Sequence, residues 1–235
     1  MTSRQRKTNP RAATSANRRL AIKVAIAIGA GVLALAAIYW FNGQGGLTQS
    51  SAQSQSAPRD PSAGKYAFQV GKPGPGAQAP SIRLPSTRGG TFELASLRGQ
   101  RVLLYFQEGI MCQPCWDQLK DIESNIERFR ALGIDAVVSV TTDPIDALKQ
   151  KAANERLSTP VLSDPDLSVS RTYDANSYGM MGRSRNGHTF VLLDKDGAIL
   201  WRADYGGAPD YTMYLPVTNL VADLREGLRK AQKTQ

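Results

Sequence analysis

The chain has 235 residues, 41% of them hydrophobic and 21% charged, which is room for one packed domain plus accessory segments. Its formal net charge of +9 is uneven: seven of the 29 basic residues lie within 1–23, where there is no Asp or Glu, leaving 22 against 20 acidic residues elsewhere. A basic tail of that kind is not a nucleic-acid-binding groove, and two cysteines with one histidine exclude both a disulfide-stapled miniature scaffold and a zinc enzyme built on several imidazoles.

In chain order, residues 1–19 read as a basic cytoplasmic tail and residues 20–41 as a transmembrane anchor. The 18 residues from Val24 to Phe41 are uncharged and as a helix would span about 27 Å, close to a hydrocarbon core. Lys23 can snorkel at one end, and Tyr39, Trp40 and Phe41 suit an interfacial belt at the other. A cleaved signal peptide is the competing reading, with Ala34-Leu35-Ala36 as a cleavage-like site; the run into bulky aromatics favours a retained anchor. The N-terminal basic flank then sets the N-terminus inside and everything beyond residue 41 on the extracytoplasmic side of the cytoplasmic membrane. Residues 42–78, rich in Gly, Ser, Gln, Ala and Pro, read as a flexible linker, with Lys65–Gly71 a candidate short strand or docking segment.

Residues 79–232 carry the periodicity of a folded domain. The apolar run Arg101–Phe106 predicts a buried strand, and Leu119, Ile122, Ile126 and Phe129 share one face of a helix predicted over Gln113–Ala131. Ile134–Val140 predicts a strand, 144–155 a helix with Asp143 as N-cap, and Pro160–Leu162 a short strand. Thr189–Leu193 and Ala198–Arg202 flank Asp194-Lys195-Asp196-Gly197, a hairpin turn signal, and Pro216–Lys230 predicts a final amphipathic helix. This order gives an α/β domain with a central mixed sheet flanked by helices.

The chemistry is concentrated in Cys112-Gln113-Pro114-Cys115, which follows the first strand and opens the first helix. A thiolate at a helix N-terminus meets unpaired N–H groups and the positive end of the dipole, so Cys112 is expected to be the acidic, attacking thiol. Cys115, one turn inward, is the resolving thiol: it attacks the mixed disulfide on Cys112 and releases the product. Glu108, four residues before Cys112, is a candidate proton shuttle or a solvated loop residue. Arg183 and Arg185 could supply positive potential near the thiolate or be merely solvated. No flavin or nicotinamide fingerprint is present, so no cofactor is expected and electrons must come from, or go to, an external partner. Neutral Gln113 and Pro114 leave the direction of exchange open.

Ala79-Pro80, Leu84-Pro85, Gly90, Leu94, Leu97-Arg98-Gly99, Val102–Phe106, the Cys-x-x-Cys and Phe190–Gly197 together resemble thioredoxin-like proteins. The resemblance is closest to the redoxin, or alkyl hydroperoxide reductase/thiol-specific antioxidant, branch and its membrane-tethered Cys-x-x-Cys relatives. It implies a thioredoxin-like fold over nearly all of 79–232 and thiol redox chemistry. Three positions depart from the pattern. His188 stands where reductases of the fold carry a cis-proline and peroxiredoxins an Arg, and Tyr105 and Gly109 stand where peroxiredoxins carry Pro and Thr or Ser. The resemblance puts His188 against the Cys-x-x-Cys face, where it would stabilise the thiolate or relay a proton, or simply pack. Three functions follow, in order of expectation: an extracytoplasmic thiol–disulfide oxidoreductase acting on protein thiol or disulfide clients; a peroxiredoxin-like thiol peroxidase; and a copper-binding assembly factor using the two thiols and His188.

Overall fold

The computed structural model describes residues 60–234; the expected tail, anchor and the part of the linker up to residue 59 lie outside the described residues. Among the described residues no helix is long and apolar enough to cross a membrane.

The centre is strand β3 (Val102–Phe106), whose five residues are all buried. Side chains alternate across a strand, and here both faces are covered: Leu103 and Tyr105 join one apolar cluster, Val102, Leu104 and Phe106 the other. Burial on two faces is why the run is continuously apolar rather than alternating. β4 (Ala136–Thr141) and β5 (Val161–Ser163) extend the sheet in parallel, β6 (Thr189–Leu193) and β7 (Ile199–Asp204) antiparallel, in the order β5-β4-β3-β6-β7. The fold is a thioredoxin-like α/β sandwich with a mixed central sheet. Helices α1 (Gln113–Ser124), α2 (Ile126–Arg130), α3 (Ile145–Glu155), α4 (Ser168–Thr172) and α5 (Val217–Thr234) complete the order. Leu119, Ile122 and Phe129 from α1 and α2, and Leu220, Val221 and Leu224 from α5, fill the cluster under β3 and β6. Each such fully buried side chain contributes roughly 1.5–3 kcal/mol.

Several expectations change. The helix predicted over Gln113–Ala131 breaks at Asn125, which leaves helical geometry (φ −117°, ψ 23°) while its amide Nδ2 donates to the Asp121 carbonyl at 2.9 Å. An Asn can satisfy the backbone locally in this way and so ends helices. A short antiparallel pair, β1 (Arg83–Pro85) with β2 (Thr91–Glu93), and the one-turn α4 were not foreseen. Asp143 is not the cap of α3: Pro144 occupies that position and no side chain caps the helix.

The largest change concerns the linker. From Asp60 onward the chain is packed as a strap against the domain. The Asp60 carboxylate pairs with Arg225 at 2.7 Å, and the Asp223 carboxylate accepts the Gly64 N–H and, at 2.7 Å, the Tyr205 hydroxyl. Phe68 meets Trp201 and Tyr205 edge-on. Gln69 exchanges both backbone hydrogen bonds with Asp204, while Gly76, Ala77 and Ala79 bond to Ile199 and Gly197. The strap therefore covers the open edge of β7, an edge that would otherwise invite pairing with another chain. Beneath it, Arg202 and Asp204 form an ion pair with fully buried side chains. Asp204 accepts from Arg202 Nε and Nη2 at 2.8 Å each, from Thr189 Oγ1 at 2.7 Å and from the Gly71 N–H at 2.7 Å. Gly71 is needed there, because a Cβ would lie 2.6 Å from Arg202 Nη2.

Candidate active site

β3 delivers the chain to the end of the sheet where its parallel strands finish, and the Gln107–Met111 loop turns it into α1. Cys112 is the N-cap of α1 and Pro114 sits in the first turn, where a missing N–H costs nothing. The Cys112 N–H donates to the Gly109 carbonyl at 3.0 Å, and Trp116 Nε1 donates to the same carbonyl at 3.0 Å, so the indole buttresses the loop from inside the helix. Cys112 and Cys115 are joined by a disulfide, Cα to Cα 5.4 Å. Cys112 is 6% exposed and Cys115 fully buried, with Met213 packed against both. The sulfur nearer solvent is thus the one at the positive helix end.

Tyr105 lies directly below. Its hydroxyl is 3.3 Å from the Cys115 carbonyl oxygen and 3.0 Å from His188 Nδ1. The phenol is fully buried, which, with the nearby Glu108 charge, holds its proton well above the usual range. His188 stands at the start of β6, fully buried, among the rings of Tyr105, Phe190 and Tyr205. Burial lowers its pKa to about 3, so the imidazole is neutral and supplies no positive charge to a thiolate. Its Nε2 has no hydrogen-bond partner among the described residues. The structure joins His188 to the cysteine pair through Tyr105, which sequence reasoning had noted only as a departure from a family pattern.

Glu108 is 8% exposed, and one of its carboxylate oxygens has no partner among the described residues. Burial raises its pKa, against the opposing pull of Arg185 and the Met180 N–H. Arg185, one of the two loop arginines expected either to supply positive potential near the thiolate or to be solvated, donates from Nη1 to the Glu108 carbonyl at 3.0 Å and to Asp143 Oδ1 at 2.9 Å. Asp143 Oδ2 in turn accepts the Ile110 N–H at 2.8 Å and the Thr141 hydroxyl at 3.1 Å. Gly109 has φ +107°, and a Cβ on it would lie 1.8 Å from Asp143 Oδ2. The loop before Cys112 is therefore moulded around one carboxylate, and no residue with a side-chain hydroxyl fits at position 109. Neither Asp143 nor Tyr105 stands out in the sequence as a site residue; the Asp-Pro pair at 143–144 reads as a helix start, and a Tyr inside a buried strand carries no local signal of function.

The model of the AhpC/TSA family matches residues 75–202. The chain belongs to the AhpC/TSA family. Its relatives include the putative peroxiredoxin Rv2521 of Mycobacterium tuberculosis, 35% identical over 54% of this chain and 82% of that protein. Peroxiredoxin Bcp of Escherichia coli is 32% identical over 52% of this chain and 79% of its own length. Among solved structures, AhpC of Enterococcus faecalis superposes with a TM-score of 0.57 at 14% identity, over 68% of this chain and 96% of that one, which speaks for the fold. As an AhpC/TSA protein the chain is a thiol-based oxidoreductase.

The burial of His188 makes a pH prediction within this AhpC/TSA domain. A neutral native imidazole with a pKa of about 3, against 6.5 when free, binds fewer protons than the unfolded chain between those values. This contribution to stability is whole above about pH 6.5 and is lost as pH falls toward about 3, at up to ~1.4 kcal/mol per pH unit. Urea unfolding midpoints should fall between pH ~7 and ~5 in the wild type and fall less in His188→Gln. An equal loss in both would remove His188 from the account.

Proposed function

We propose that this protein is a thiol peroxidase in which Cys112 attacks the peroxide and Cys115 resolves it. The observation that carries the reading is the Cys112–Cys115 disulfide closed within the first turn of α1, in a chain whose relatives are named peroxiredoxins. Expectation from sequence placed disulfide exchange first and peroxide second; these relatives favour the reverse order.

The Cys112 thiolate attacks one peroxide oxygen, the O–O bond breaks, and the departing oxygen takes a proton as water or an alcohol. Cys112 is left as a sulfenic acid. The Cys115 sulfur then displaces water from it, and the S–S bond forms. The chain holds two cysteines, so an external dithiol must return two electrons to reopen the bond. Glu108, its carboxyl kept protonated further toward neutral pH by burial, is the candidate proton donor to the departing oxygen. His188 acts through the Tyr105 hydroxyl on the Cys115 end of the pair.

Disulfide exchange on protein clients is the second reading. Gly109 favours it, because that position has no room for the peroxide-positioning hydroxyl, and so does Met111, 85% exposed beside Cys112. For the copper reading, no group of three or more His, Cys, Asp or Glu side chains suited to a metal is found among the described residues. We place the catalytic domain on the extracytoplasmic side, tethered through residues 20–41; the apolar run and its basic flank support this.

The test is the full chain supplied with a dithiol reductant and either hydrogen peroxide or insulin disulfides. Peroxide should be consumed at roughly 10⁴ M⁻¹s⁻¹ or faster, with the activity sedimenting in the membrane fraction. Insulin reduction outpacing peroxide consumption would restore disulfide exchange as the main activity, and activity in the soluble fraction would remove the anchor.

A further inference from the structure

The loop that presents Cys112 is held by charges that neither the peroxidase nor the exchange reaction consumes. Asp143 sits 5% exposed at the end of β4, with its own carbonyl fixed by the Ser163 hydroxyl at 2.7 Å. Its carboxylate faces the backbone of Gly109 and Ile110, and Ile110 is two residues from Cys112. Arg185 arrives from a segment far along the chain, which is itself pinned where Asn176 Nδ2 donates to the Arg183 carbonyl at 2.9 Å. Its guanidinium closes the arrangement by bonding both the Asp143 carboxylate and the Glu108 carbonyl. One side chain is 7% and the other 28% exposed, so water screens the pair weakly and each charge acts over a longer range than at the surface.

We propose that Asp143 and Arg185 are positioning residues that set the reactivity of Cys112, by clamping its loop and by balancing opposite charges at the base of that loop. The inference rests on Cys112 being the attacking thiol. With both charges present their fields at the sulfur oppose one another, and the helix terminus adds its own stabilisation of the thiolate. Removing the guanidinium leaves an uncompensated carboxylate, which disfavours a thiolate. Removing the carboxylate charge leaves an uncompensated guanidinium, which favours it. The other ionisable groups around Cys112 are Glu108 on the loop, whose carboxyl Arg185 also holds toward its charged form, Tyr105 and His188 below the Cys115 carbonyl, and Lys151, Glu155 and Asp117 around the Gln113 amide on the outer side.

The experiment uses the full chain carrying Cys115→Ser, so that a single thiol reports, and follows iodoacetamide alkylation of Cys112 by mass against pH. Relative to that reference, Arg185→Gln should raise the midpoint and Asp143→Asn should lower it, each by about half a pH unit or more. Asn keeps an oxygen for the Ile110 N–H, which limits damage to the loop. Arg185→Lys, which keeps the charge, should return the midpoint most of the way to the reference. A purely structural clamp would loosen the helix terminus in both variants and move both midpoints upward together. Shifts in the same direction, or none in either, would overturn the proposal. A Cys112 that is not alkylated in the reference protein would instead overturn its assignment as the attacking thiol, and the tuning role with it.

Discussion

Cys112→Ser is expected to lower turnover with the oxidising substrate by at least about 10³-fold, the scale on which loss of a covalent nucleophile acts. The effect should be this large because the two sulfurs are not equivalent. Cys112 caps α1 and touches solvent, while Cys115 is fully buried one turn along. With Cys112 gone, the remaining thiol lacks both access and the helix terminus that would ionise it. Cys115→Ser should behave differently. The first attack remains, so one equivalent of oxidant is consumed rapidly, and mass spectrometry should then find Cys112 oxidised or joined to substrate. The decisive comparison is the single-turnover burst. A Cys112→Ser protein that still consumed one equivalent at the wild-type rate would make Cys115 the attacking sulfur and reverse the order of the two steps.

The largest effect on stability is expected at Asp204. Asp204→Ala leaves the Arg202 guanidinium buried without its counter-charge, together with the Gly71 N–H and the Thr189 hydroxyl that the carboxylate accepts. Breaking one partner of a buried pair costs roughly 3–5 kcal/mol. Replacing both charges, as in Arg202→Met with Asp204→Leu, should cost markedly less, because no charge is then stranded. Urea unfolding of the two variants measures the difference, and hydrogen exchange over residues 60–78 should show the strap released in the single variant. A double variant less stable than the single one would mean that the ion pair itself, rather than its stranding, carries the effect.

Where the sequence was legible, the signals were local. β3 announces itself as a continuous apolar run, the β6–β7 hairpin by its Asp-Gly turn, and the redox pair by its place between a strand and a helix. The structure confirms the strand, the hairpin and the mixed sheet. What stayed hidden was assembled from far apart. Tyr105 meets His188 across 83 positions, and Asp143 meets Arg185 across 42, and neither meeting leaves a periodicity to read. The strap was hidden for a different reason. Its Gly, Pro and Ala composition is that of a linker, and its hold on β7 is mostly through backbone groups, which any sequence possesses. The break at Asn125 and the three-residue strands β1 and β2 fall below what apolar spacing resolves.

The seating of that strap has a mechanical consequence. Gln69 and Asp204 are joined by antiparallel backbone bonds, and the chain between Asp60 and Ala79 is fastened at several points along the margin of the sheet. Tension applied to the polypeptide ahead of residue 60 would first be borne by the Asp60–Arg225 and Gly64–Asp223 attachments. Only after these gave way would load reach β7, and through its pairing with β6 the shelf on which His188 stands. Under such a load the attachments would yield first and spare the cysteine pair.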